Sequence, residues 1–152
     1  DFGELLWATE STLTLKEARD AQKAVAIVIR RPNDMRSQTF LTEIDRFVKA
    51  RAEDGIVGVW LSFLTGRGGP EEDKRAIQDM RSEVSELGVT MPSGYDPDRK
   101  GQKVVRTLYG TVGTASFAVI DSQGRMAWWM ADTRDMDRNL AIRVLERILR
   151  EE

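Results

Sequence analysis

The 152 residues contain neither cysteine nor histidine. Without a thiol the chain can form no disulfide and no thiolate metal site, and it cannot carry out thiol–disulfide exchange or thiol-based peroxide reduction, which need a thiolate nucleophile. Without imidazole it lacks the commonest metal ligand and the usual general base. No metal, cofactor or catalytic residue is therefore expected. Charge of one sign is also missing: 23 Lys and Arg against 25 Asp and Glu leave a net charge of -2, with no polybasic footprint for nucleic acid or anionic membrane. No run approaches the roughly 18 apolar residues that span a bilayer.

What is present fits one domain of ordinary size, with 41% hydrophobic and 32% charged residues. We read residues 1–152 as a single domain, with residues 1–23 an N-terminal extension and helix and 24–152 the core. The chain begins at Asp1, consistent with a trimmed chain or with the product of signal-peptide removal. A chain without thiols says nothing of redox compartment, so exported and cytoplasmic locations are both allowed.

Apolar spacing predicts a short helix over 14–24, with Thr12 or Thr14 as N-cap. Residues 24–30, Ala-Val-Ala-Ile-Val-Ile-Arg, form the β-branched run of a strand buried on both faces. Phe40, Ile44, Phe47 and Val48 give the stripe of a helix from about Asp34 to Ala52, ended by Asp54-Gly55. Ile56 to Leu64 is a second buried strand, expected parallel to the first. Next come a glycine-rich loop, Thr65 to Pro70, and a helix with Glu71, Glu72 and Asp73 at its positive end and Gly88 at its stop. Pro92 to Gly101 reads as polar turn material around Tyr95-Asp96-Pro97-Asp98, and a short helix is expected over Gln102–Tyr109. Ser116–Ile120 and Arg125–Met130 flank an Asp121-Ser-Gln-Gly124 turn as a hairpin. A last helix from Asp135 or Asp137 buries Ala141, Val144, Leu145 and Ile148.

This order predicts an α/β fold: a central mixed sheet of parallel strands plus a C-terminal antiparallel hairpin, flanked by helices on both faces. At residue level, Val28-Ile29-Arg30-Arg31-Pro32-Asn33-Asp34 with Phe40-Leu41-Thr42-Glu43-Ile44 resembles the strand, active-site turn and first long helix of the thioredoxin-like, or redoxin, superfamily. Gly88-Val89-Thr90-Met91-Pro92 and the stretch from Tyr109 to Arg125 are similar to further segments of that family.

The resemblance implies a Cys-x-x-Cys motif which, counted back from Glu43-Ile44, falls on Arg31, Pro32, Asn33 and Asp34 to within two or three residues. It also implies a cis-proline after Gly-Thr, where this chain has Ala115 after Thr114. A cis bond before a non-proline residue costs ~2.5–4 kcal/mol, so a trans bond is expected there. Both cysteines and the proline are missing. The leading expectation is a redox-inactive binding or structural module that keeps the fold; the alternative is a chain that resembles thiol-disulfide oxidoreductases or peroxiredoxin-like proteins by descent without retaining their thiol chemistry.

Two sets of residues are candidate binding positions. Arg30, Arg31 and Arg36, with Arg67 from the glycine-rich loop, could collect a small anionic ligand or acidic segment at the helix start, although Asn33 or Asp34 there is ordinarily a simple N-cap. The loop lacks the Gly-Lys-Ser/Thr ending of a nucleotide loop. Trp128 and Trp129 point to opposite faces of their strand. Core packing is the default for both, and on an edge strand one of them would anchor a protein partner or a second copy.

Overall fold

The computed structural model describes residues 5–21, 24–63, 69–97, 115–130 and 138–151. Six strands form one sheet in the order β1-β4-β3-β2-β5-β6: β1 Leu6–Trp7, β2 Ala24–Ile29, β3 Ile56–Phe63, β4 Ser93–Asp96, β5 Ser116–Asp121 and β6 Met126–Met130. β2, β3 and β4 run parallel to one another, β5 and β6 continue antiparallel from β2, and β1 pairs antiparallel with β4. The helices are α1 Leu15–Ala21, α2 Gln38–Ala50, α3 Pro70–Leu87 and α4 Arg138–Glu151.

Strand β2 is uniformly apolar because both of its faces are covered. Ala24, Ala26 and Val28 pack with α2, α3 and α4, while Val25, Ile27 and Ile29 pack with Ala18 of α1. Thr14 and Glu17 open α1 as a reciprocal capping box, the Glu17 N–H donating to Thr14 Oγ1 and the Thr14 N–H to Glu17 Oε2. Gly58 lets α2 approach closely: a Cβ there would lie 3.0 Å from Met91 Sδ and 3.2 Å from Val48 Cγ2. Asp45 ties α2 to the connection before β4, accepting the N–H groups of Thr90 and Met91 at 2.9 Å each.

Several expectations change. Ser93–Asp96, expected as turn, is the buried strand β4 beside β3. Its polar composition conceals this, because the polar groups of Ser93 and Tyr95 find partners inside the fold. Ser93 donates its N–H to Thr9 Oγ1 and its hydroxyl to the Met91 carbonyl, and the Tyr95 hydroxyl donates to Asp73. Residues before Ala24 contribute β1 as well as a helix. In α4 the buried stripe is Ala141, Leu145 and Leu149, with Val144 and Ile148 half-buried. The helix expected over 102–109, the loop residues 65–68 and the start of the last helix at 135–137 lie outside the described residues.

The 121–124 turn is where sequence and electrostatics agree most closely. Burial by itself pushes the Asp121 carboxyl up, but the backbone N–H and guanidinium of Arg125 and the N–H of Gln123 outweigh it and hold the group below its ordinary 3.8. A depressed native value contributes stability that is present above the unfolded value and lost as pH falls through the native one. Denaturant titrations at neutral pH and below pH 3.8 should show Asp121→Asn losing less stability on acidification than the unaltered chain.

Candidate functional site

The site expected at the β2–α2 junction is built around Arg30, which directly follows β2 yet is 1% exposed. Burying a guanidinium is costly unless it is paired and hydrogen-bonded. Its Nη2 lies 2.7 Å from Glu83 Oε1, and Glu83 comes from α3, fifty-three residues away in sequence. Arg30 Nε donates to Ser37 Oγ at 2.8 Å and Nη2 to the Asp34 carbonyl at 2.8 Å. The guanidinium carbon sits 4.9 Å from the Trp60 ring centroid, and Trp60 Nε1 donates to the Arg30 carbonyl. Glu83 uses its second oxygen to accept the Asn33 N–H at 2.7 Å. One ion pair therefore joins β2, β3, α3 and the turn into α2.

The turn explains why α2 starts at Gln38 rather than near Asp34. Asn33 takes φ 61, the left-handed region that asparagine tolerates better than most residues. The Ser37 N–H closes a turn on the Asp34 carbonyl. The Asp34 carboxylate accepts the Arg36 N–H at 3.3 Å and the Ser37 hydroxyl at 2.7 Å. Asp34 and Ser37, three residues apart, touch through their side chains immediately before the helix, and Ser37 is fully buried.

Of the candidate residues, Arg30 is committed to this internal clamp. Arg31 and Arg36 lie on the exposed surface of the turn beside Met35, which is 72% exposed. Pro32 and Asp34 are half-buried and Asn33 is exposed. Ala115 is buried just before Ser116, which pairs with Ile29 at the end of β2, so the segment after residue 114 does return alongside the turn. Thr114 and Arg67 lie outside the described residues. Trp128 and Trp129 stand apart from this site on β6, at the sheet edge. Trp128 packs on the α2 side of the core, whereas Trp129 is 43% exposed, so core packing describes only the first of them.

Ser37, Trp60 and Glu83 are the residues that the sequence reading left out. Glu83 had a signal: it falls on the same helical face as Ile77, Met80, Val84 and Leu87, where a carboxylate needs a buried partner. Among the described residues no helix is long and apolar enough to cross a membrane.

No family model and no curated protein sequence matches the chain. Solved structures do. A thiol-disulfide isomerase from Corynebacterium glutamicum superposes with TM-score 0.76 at 17% identity, over 97% of this chain and 92% of that one. A secreted Mycobacterium tuberculosis disulfide oxidoreductase homologous to E. coli DsbE gives 0.63 at 14% identity, over 84% of each chain. A thioredoxin-family thiol:disulfide interchange protein from Chlorobium tepidum TLS gives 0.64 at 13% identity, over 84% of this chain and 80% of that one. The fold is thioredoxin-like, in a chain with no cysteine.

Proposed function

We propose that this chain is a single thioredoxin-like domain that does not exchange disulfides and serves as a binding or structural module. We place the vacated Cys-x-x-Cys frame on Asp34-Met35-Arg36-Ser37, three residues beyond the position counted from Glu43-Ile44. The observation that carries this reading is the Asp34–Ser37 contact of 2.7 Å. A Cys-x-x-Cys pair must also bring positions i and i+3 into contact, and in thiol enzymes it sits where a helix N-terminus and nearby cations stabilise a thiolate. Here that position holds a carboxylate and a hydroxyl, which cannot be oxidised and reduced against a substrate disulfide.

An anionic ligand at the same turn is the weaker reading. The Asp34 carboxylate already takes the donors offered there, and Arg30 is neutralised by Glu83. The test is the reduction of insulin disulfides by dithiothreitol with and without the purified chain. The expected rate equals the blank; a rate rising with protein concentration contradicts the proposal.

A further inference from the structure

The edge of the sheet opposite β6 carries a groove of about 610 Å³ between β1 and α3, and the β2–α2 turn takes no part in it. Its apolar lining includes Leu6, Pro70 and Ile77. Leu6 is 43% exposed although it lies opposite Tyr95, whose hydroxyl reaches Asp73 on α3, so its side chain stands on the α3 face of the sheet and is only partly covered among the described residues.

The strand beside this lining also has an open backbone edge. The Ala8 N–H donates to the Ser93 carbonyl and Leu6 pairs with Tyr95. By the alternation of an antiparallel ladder, Trp7 between them turns its N–H and C=O away from β4. Among the described residues no strand lies beyond β1. The Trp7 ring packs against Gly94, where an added Cβ would lie 3.1 Å from it, a tight contact.

The charged residues of α3 that line the groove are Asp73, Lys74 and Arg81, one carboxylate against two cations. The Asp73 carboxylate accepts the Tyr95 hydroxyl. Lys74 is paired only with Glu71 at 3.3 Å, both side chains being largely exposed, a contact of small worth. Arg81 is exposed, has no acidic residue three or four positions away on its helix, and makes no ion pair among the described residues.

We propose that this groove binds an extended acidic peptide segment as an added strand on β1. Its backbone would pair with Trp7, alternate apolar side chains would fill the space over Leu6 and Ile77, and its carboxylates would meet Lys74 and Arg81. Main-chain pairing supplies the affinity and the cationic rim selects the sign of the partner. The inference rests on the non-catalytic binding reading above and names a surface for it.

The probe is a fluorescein-labelled heptapeptide of alternating aspartate and valine, followed by anisotropy at low salt beside its lysine–valine counterpart. The aspartate peptide should bind about tenfold tighter or better and weaken as salt is raised. It should lose about tenfold with Arg81→Glu, an exposed substitution that leaves the circular dichroism unchanged, and more with Leu6→Asp. N-methylation of alternate peptide residues should abolish binding by removing the strand's donors. Equal affinity for both peptides, no binding at millimolar concentration, or indifference to Arg81→Glu overturns the inference. So does a concentration-dependent dimer that Leu6→Asp dissolves, which would make the occupant a second copy. An inert chain that fails to bind refutes the groove alone, whereas a chain that binds and also reduces insulin refutes only the non-catalytic reading.

Discussion

Replacing Glu83 by alanine should destabilise the protein by about 3–5 kcal/mol, the cost of leaving a buried guanidinium without its counter-charge. For a chain of this length that corresponds to a fall in Tm of roughly 6–20 °C. The cost is large because Glu83 supplies the counter-charge to a buried guanidinium and also accepts the Asn33 N–H. Removing both charges, as Arg30→Met with Glu83→Leu, should recover much of the loss, since apolar side chains of similar volume often replace a buried pair without penalty. Thermal melts of the two variants decide it. A Glu83→Ala protein within about 1 kcal/mol of the parent would mean that the pair is not the clamp its geometry describes.

The second large effect concerns chemistry. Asp34→Cys with Ser37→Cys and Ala115→Pro should convert a protein with no thiol activity into one that reduces insulin measurably above the blank. Arg30 Nε, now donating to Ser37 Oγ at 2.8 Å, would then face a sulfur, and a neighbouring cation together with the start of α2 lowers a thiol's pKa. The same substitutions made as Arg31→Cys with Asp34→Cys should remain inert. Asn33 between those two positions is held at φ 61 by the Glu83 contact, and residue 31 lies seven positions ahead of α2, remote from the helix field.

The parts of this protein that sequence discloses are those where one residue type repeats for one reason. β2 and β5 are read easily because burial on both faces makes every position of β2, and Ser116 to Ile120 of β5, apolar or small. The same reasoning misreads β4, whose Ser93 and Tyr95 sit in a buried strand with polar groups met in part by Thr9 and Asp73, contacts from distant segments that no local pattern announces. β1 is two residues long and has no periodicity to detect.

At the candidate site, the loss of thiol chemistry is plain from composition alone. The register of the site is not, because counting back along α2 fixes it only to within about a turn. The start of α2 follows from the left-handed Asn33 and the Asp34 turn, which delay the helix to Gln38. The clamp was hidden for a different reason: Glu83 lies on the apolar face of its helix, but it meets Arg30 only in three dimensions, so the sequence does not name its partner.

The most direct test is disulfide closure in the otherwise unaltered chain. Asp34→Cys/Ser37→Cys and Arg31→Cys/Asp34→Cys proteins would be oxidised under identical mild conditions and their free thiols counted. Closure of the 34/37 pair with the 31/34 pair left largely reduced is the predicted result. Ready closure of 31/34, or failure of 34/37 to close in a folded protein, would contradict the placement of the vacated site.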